Sequence, residues 1–222
     1  MENQKDKSII DTSKVYYRFK FIILGDVSVG KTCIATKFIN NTFQENYVCT
    51  VGVEFKVKTI NLTTNTIVDL QVWDTCGQEK YRTLTRQYYR DANGIMLIFD
   101  ITNPNSFIEV ENWIGEIRNN FPTKNEIAIL LIGNKSDLIS ERKITTSEIN
   151  KFSKRYDLEY IEVSAKEGTN IKHAFETLSW MIIHKEDENS STPQVPIKQT
   201  QSIKYFIAPK EEKKQKDKGK CC

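Results

Sequence analysis

The sequence predicts an α/β fold: a mostly parallel sheet covered by helices on both faces, with ligands bound where its strands end. Three observations predict it. Short, β-rich apolar runs alternate with helix-compatible segments over most of the chain. Turn residues flank each of those runs, as they flank strands buried between helices. A glycine-containing loop also stands at the first strand-to-helix junction, the place where such a sheet takes a phosphate group.

The elements follow in order. Phe19 to Leu24 is a short apolar run ending at Gly25, and a helical stretch follows from Lys31 to Ile39. Val51 to Leu62 and Ile67 to Asp74 read as two strands joined by a polar turn at Thr63–Thr66, an antiparallel hairpin. Gly94 to Ile101, Ile127 to Gly133 and Glu159 to Ser164 are further compact strands. Between them lie helices near Pro104–Asn119, Thr146–Tyr156 and Asn170–His184. Asn103 before Pro104 starts the first of these, because proline suits a helix's opening turn. Thr145 or Thr146, ahead of Glu148, starts the second. His173 falls on the surface of the last helix, and His184 marks its end.

The 222 residues amount to one domain with some excess, long enough to bury a core without staples. We divide them into a disordered arm over 1–14, a folded domain over 15–184 and a flexible tail over 185–222. With 39% hydrophobic and 27% charged residues the composition is that of a soluble globular protein. No apolar run approaches the roughly 18–20 residues of a membrane-spanning helix, and Met1 to Asp11 lacks a signal-peptide core. Five scattered cysteines without zinc spacing argue against a disulfide framework and suit a reducing compartment. The net charge of +3 equals the balance of Lys210–Lys220 alone, where six lysines face Glu211, Glu212 and Asp217. The broad basic face of a nucleic-acid binder is therefore not expected.

Gly25-Asp26-Val27-Ser28-Val29-Gly30-Lys31-Thr32 matches G-x-x-x-x-G-K-[ST] between a strand and a helix. Glycines let the backbone wrap so that successive N–H groups meet phosphate oxygens at a helix N-terminus. Lys31 adds a point charge on the outer phosphates, and the Thr32 hydroxyl suits Mg²⁺. Asn134-Lys135-Ser136-Asp137 follows a central strand, where the Asp137 carboxylate can accept from guanine's N1–H and exocyclic amine. Adenine offers no matching donor pair and would leave that carboxylate unpaired. Lys135 can lay its methylene stem along the base plane. Ser164-Ala165-Lys166, after the last strand, can present backbone N–H groups to the base oxygen. Asp74 leaves a strand able to hold Mg²⁺, while Gly77 and Thr50 are placed to meet the γ-phosphate. Losing that phosphate would release both segments, and Gln78 is placed to orient the attacking water.

Over Arg18 to His184 the chain resembles the Rab-type small GTPases of the Ras superfamily. Beyond the nucleotide motifs, the resemblance rests on Val51-Gly52-Val53-Glu54-Phe55, Leu70-Gln71-Val72-Trp73-Asp74, Tyr81-Arg82-Thr83-Leu84-Thr85, Tyr88-Tyr89-Arg90 and Ile98-Phe99-Asp100-Ile101-Thr102. It implies the P-loop small GTPase fold, with a six-stranded, mostly parallel sheet, one antiparallel strand and about five helices on both faces. It implies GTP/GDP and Mg²⁺ as cofactors, with Gly25, Ser28, Val29, Gly30, Lys31, Thr32 and Cys33 lining the phosphates. Phe43 would pack on the guanine, and Phe55, Trp73 and Tyr88 would form the patch that effectors read. For those three aromatic residues, plain core packing is the alternative.

The terminal Cys221-Cys222 matches the family's double-prenylation end, and two lipid chains hold a membrane firmly where one holds marginally. A redox pair or metal site is the alternative, but two thiols on a flexible end lack further ligands. The partners implied are effectors, an exchange factor, a GTPase-activating protein, a GDP-dissociation inhibitor and a prenylation escort. The chain would act as a monomer on the cytoplasmic face of an intracellular membrane, with a cytosolic pool. Three departures stand out. Val27 replaces the usual Ser, Cys76 replaces a smaller residue, and Asp91 replaces a frequent Gly. Val27 beside Cys76 would crowd the γ-phosphate and slow hydrolysis; a tolerated local variation is the alternative. The rival functions are a P-loop ATPase or nucleotide kinase, opposed by Asn134–Asp137, and a GTP-loaded binding module that hardly turns over, opposed by Gln78.

Overall fold

A computed structural model of the chain describes residues 14–43, 53–75, 89–121 and 127–189. Its elements are β1 (Val15–Gly25), α1 (Lys31–Asn40), β2 (Val53–Asn61), β3 (Thr66–Thr75), β4 (Gly94–Asp100), α2 (Pro104–Asn120), β5 (Ala128–Asn134), α3 (Thr146–Tyr156), β6 (Glu159–Glu162) and α4 (Ile171–Asn189). The strands form one six-stranded sheet in the order β2-β3-β1-β4-β5-β6. Only β2 with β3 is antiparallel; β1 pairs in parallel with β3 and β4, and β5 with β4 and β6. This is the expected sheet, carrying four α-helices among the described residues. Because β1 lies between β3 and β4, the chain leaves it in two directions and a crevice opens at the strands' carboxyl ends.

The core lies on both sides of the sheet because alternate side chains of a strand point to opposite faces. Phe21 and Ile23 of β1 join α1 and α4 through Phe38, Phe175 and Leu178. Ile22 and Leu24, their neighbours in sequence, join α2 and α3 through Val110, Trp113 and Ile149. The rings of Phe38 and Phe175 stack 3.6 Å apart, which fixes α1 against α4 and hence the mouth of the first loop.

Element ends differ from expectation where a contact outside the apolar pattern extends them. β1 begins at Val15 rather than Phe19, since Val15–Arg18 pairs with residues 66–69 of β3 and Arg18 meets Asp69 at 3.6 Å. α4 continues to Asn189, so His184 does not mark its end as expected. His184 stacks on Trp180 one turn earlier at 5.8 Å, and Lys185 Nζ donates to the Ile127 carbonyl at 3.0 Å. Those two contacts carry the helix beyond its apolar stripe. His173 is exposed on that helix, as expected.

Both helix starts are capped. Asn103 accepts from the Asn105 N–H at 3.1 Å ahead of Pro104. Thr145, not Thr146, is the cap of α3: its hydroxyl accepts from Glu148 N–H at 3.2 Å, and the Glu148 carboxylate accepts from Thr145 N–H at 2.8 Å. The Thr145 hydroxyl, donating to the same carboxylate at 2.6 Å, and the Thr145 N–H hold the Glu148 carboxyl below its usual range. A lowered carboxyl contributes stability above its unfolded value of 4.5 and loses it as pH falls through the folded one. Thr145→Ala is therefore expected to cost about 1 kcal/mol in urea unfolding at pH 7. Repeating the titration at progressively lower pH should show the gap between variant and parent shrinking below about 4.5.

Candidate nucleotide site

The first loop is shaped by close approaches that exclude side chains. Gly25 ends β1 at φ +141°, and a Cβ there would lie 2.2 Å from the Ile98 carbonyl oxygen. Ser28 and Gly30 are both left-handed, with φ of 62° and 94°, so the backbone between them curls into a concavity of N–H groups. Gly30 precedes α1 without a side-chain cap, so the opening N–H groups of the helix face that concavity's mouth. Val29 is buried beneath the loop, while Val27 is 42% exposed above it.

Lys31 and Thr32 are buried at the start of α1. The Lys31 ammonium donates to the carbonyls of Gly25 at 3.0 Å and Asp26 at 2.6 Å, which folds the side chain back over the loop. Asp74, at the end of β3, is 2% exposed, and neither carboxylate oxygen has a well-formed hydrogen bond. Burial raises its pKa to about 6; the nearby Thr32 hydroxyl and Lys31 ammonium pull it back, and Glu54 pushes it up. Two buried, unsatisfied carboxylate oxygens beside a hydroxyl are the oxygen donors a hard divalent cation takes. Cys33, next on α1, is half-buried, and that burial, with Asp74 behind it, raises its thiol pKa. It is an inert wall residue rather than a nucleophile.

At the other end of the crevice, Asn134 is 2% exposed and ties three segments together. Its Nδ2 donates to the Val29 carbonyl at 2.9 Å, and its Oδ1 accepts from Ala165 N–H at 3.2 Å. A Cβ at Gly30 would come within 2.3 Å of that Nδ2, so glycine is what lets the phosphate loop touch Asn134. Asp137 Oδ1 accepts from the buried Ser164 hydroxyl at 2.6 Å, and Ser164 Oγ accepts from Glu167 N–H at 3.0 Å. A guanine oxygen meeting Ala165 N–H would share that donor with Asn134. Lys166 is exposed beside them. Lys135 is left-handed at φ 67°, and its ammonium pairs with Asp100 at 2.6 Å. Arg142 braces this end from behind by a bidentate pair with Glu162, two residues before Ser164.

Phe43 is half-buried against the core cluster that includes α1. Phe55 and Trp73 face each other across β2 and β3, their rings 5.0 Å apart, with Phe55 48% exposed. Both therefore contribute to the surface rather than to a closed core. The expected residues Thr50, Cys76, Gly77, Gln78, Tyr88, Cys221 and Cys222 lie outside the described residues. Asp91 is left-handed at φ 60° in the turn before β4, which is the physical reason a glycine suits that position.

Two features were not singled out from the sequence. Asp100 closes β4, whose residues Gly94–Phe99 are buried and apolar, so a carboxylate at that strand's carboxyl end is itself a signal. Lys20 lies with its ammonium 4.5 Å from the Trp73 ring centroid while donating to the Arg90 carbonyl at 2.6 Å. Only strand pairing brings those groups together.

The Ras family model matches residues 20–184, spanning the sheet, the phosphate loop and the base end. The chain belongs to the Ras family. Its curated relatives place it among the Rab type. It is 39% identical over 176 residues to the Ras-related protein Rab-1D of Dictyostelium discoideum, covering 79% of this chain and 85% of that one. It is 39% identical over 196 residues to Rab-8B of Pongo abelii, covering 86% and 93%. It is likewise 39% identical over 174 residues to the GTP-binding protein ypt1 of Schizosaccharomyces pombe, covering 78% and 84%. This Rab-type small GTPase binds GTP and GDP and hydrolyses the former.

Asn134→Ala removes both bonds of the amide and leaves the buried Val29 carbonyl and Ala165 N–H without partners. Fluorescent GDP should dissociate roughly 5- to 150-fold faster from the variant, a loss of roughly 1–3 kcal/mol. Stopped-flow displacement by excess unlabelled GDP measures it.

Proposed function

We propose that the protein is a membrane-tethered switch in vesicle traffic, with Mg²⁺ held by Thr32, Thr50 and Asp74. The observation that carries the metal is Asp74, whose buried carboxylate oxygens lie beside the Thr32 hydroxyl without a well-formed hydrogen bond among the described residues. Bound there, Mg²⁺ supplies charge neutralisation across the outer phosphates. Gly25, Ser28, Val29, Gly30, Lys31, Thr32 and Cys33 line the phosphates. Phe43, Asn134, Lys135, Asp137, Ser164, Ala165 and Lys166 enclose the base. Asp137 selects guanine with the carboxylate oxygen that Ser164 does not occupy. Thr50 and Gly77 contact the γ-phosphate, and Gln78 orients water for its hydrolysis.

The exposed Phe55 and half-buried Trp73, with Tyr88, form the surface that effectors read once the γ-phosphate orders their flanking segments. An exchange factor, an activating protein, a GDP-dissociation inhibitor and a prenylation escort complete the cycle. Lipid on Cys221 and Cys222 holds the protein to the cytoplasmic face of an intracellular membrane, with a cytosolic pool. No helix among the described residues is long and apolar enough to cross a membrane itself.

Two measurements test this reading. A carboxyl pKa raised from 3.8 to about 6 disfavours the fold as pH rises between those values. The metal-free protein at pH 7.5 should therefore gain thermal stability from Asp74→Asn. With saturating Mg²⁺ and GTP the order should reverse; a variant as stable as the parent under both conditions would remove Asp74 from the metal site. The second concerns the exposed Val27 above the phosphate loop. Val27→Ser should speed single-turnover GTP hydrolysis by roughly tenfold, or about 1.4 kcal/mol of barrier. Equal rates would show that Val27 does not slow the reaction.

A further inference from the structure

β4 runs apolar and fully buried from Gly94 to Phe99, then ends in a carboxylate that is 5% exposed. Both oxygens of Asp100 are engaged. Oδ1 accepts from the N–H and the hydroxyl of Thr102, each at 2.8 Å, and Oδ2 meets Lys135 Nζ at 2.6 Å. The Asp100 N–H donates to Ser106 Oγ at 3.0 Å, so the residue is anchored from its backbone outward. In the strand register Asp100 stands opposite Asn134, one position before Lys135. Lys135 itself is left-handed, a conformation that non-glycine residues keep only where surrounding contacts impose it. Its side chain is about one-third exposed while its partner's is 7% exposed, so a mobile cation is held by a fixed, desolvated anion.

We propose that Asp100 is a positioning residue for nucleotide retention. It fixes the Lys135 ammonium so that the lysine's methylene stem forms a standing wall for the flat face of the purine. The inference rests on the placement of Lys135 along the base plane given above. Asp137 reads the edge of the base; Asp100 acts only on the face, through Lys135. Its influence should therefore not depend on the exocyclic amine. A purely structural role, capping the turn at Thr102, would be retained by asparagine, whose amide oxygen still accepts from Thr102 but carries no charge for Lys135.

The test uses the full chain loaded with fluorescent GDP at saturating Mg²⁺, displaced by excess GDP. Asp100→Asn and Lys135→Met should each speed release, by roughly tenfold, and the double variant should release no faster than Lys135→Met alone. The same factor should appear with inosine diphosphate, which lacks the amine. If Asp100→Asn adds the same factor in both backgrounds, it does not act through Lys135 and the proposal fails. If Lys135→Met speeds release but Asp100→Asn does not, the proposal fails while the placement of Lys135 stands. If Lys135→Met leaves release unchanged, that placement fails and the proposal with it. Should Asp100→Asn not fold, Asp100→Glu replaces it. Its carboxylate reaches one methylene further, so release should speed in the parent background and not in Lys135→Met, and the same factor in both would overturn the proposal.

Discussion

Asn134 carries one amide group, and both ends of it are used inside the protein. The nitrogen holds the phosphate loop through the Val29 carbonyl, and the oxygen holds the base loop through Ala165 N–H. Neither loop has a helix or strand of its own to fix its shape, so their separation is set from between them by a side chain at the end of β5. That separation must match the length of a nucleotide, from the phosphates at the mouth of α1 to the purine beyond Asp137. The buried amide is rigid because it sits on a central strand, and the glycine at position 30 exists to let the loop come within reach of it. A larger residue there would push the two halves of the site apart.

Around this tie the protein keeps groups buried that a stability-optimised core would exclude. Lys31, Thr32, Asp74, Asp100 and Asn134 are all nearly inaccessible, at the carboxyl ends of the strands or the start of α1. Some are satisfied internally: Lys31 by two carbonyls, Asp100 by Thr102 and Lys135. Asp74 has no well-formed hydrogen bond among the described residues, and burial raises its pKa despite the nearby Thr32 hydroxyl. Buried polar groups without partners cost stability, and they persist where a ligand relieves them. In the function proposed for the protein, folding is therefore coupled to the nucleotide and a cation through the same residues that line the site.

The surface proposed to answer to the nucleotide is built on the antiparallel end of the sheet. β2 is an edge strand, and β3 links it to β1, so Trp73 sits next to β1 and Phe55 one strand further out. Trp73 immediately precedes Asp74, which places an aromatic side chain one residue from the proposed cation ligand. Lys20 of β1 adds a cation over the indole and ties it to the turn at Arg90. The chemistry and the recognition surface thus share one strand, with alternate side chains facing opposite ways.

The sequence alone determined the order of strands and helices, because apolar runs and their turn residues are local signals. The candidate phosphate loop and base-reading segment were legible for a related reason: each is a short contiguous motif whose chemistry depends on neighbours in the chain. The caps at Asn103 and Thr145 were legible within a residue, since capping is a contact across three positions. Element ends were less legible wherever distant groups set them, as with Val15–Arg18 paired to β3 and α4 drawn past His184 by Trp180 and Lys185. What only the tertiary structure decided was how the motifs touch. Asn134 meets Val29 across 105 positions, Lys20 meets Arg90 across 70, and Asp100 meets the next strand's lysine through sheet register. No spacing in the chain encodes such contacts, because they depend on the pairing of strands whose sequence separation is arbitrary. The candidate residues were written in the motifs, and the distances between them were set by the sheet.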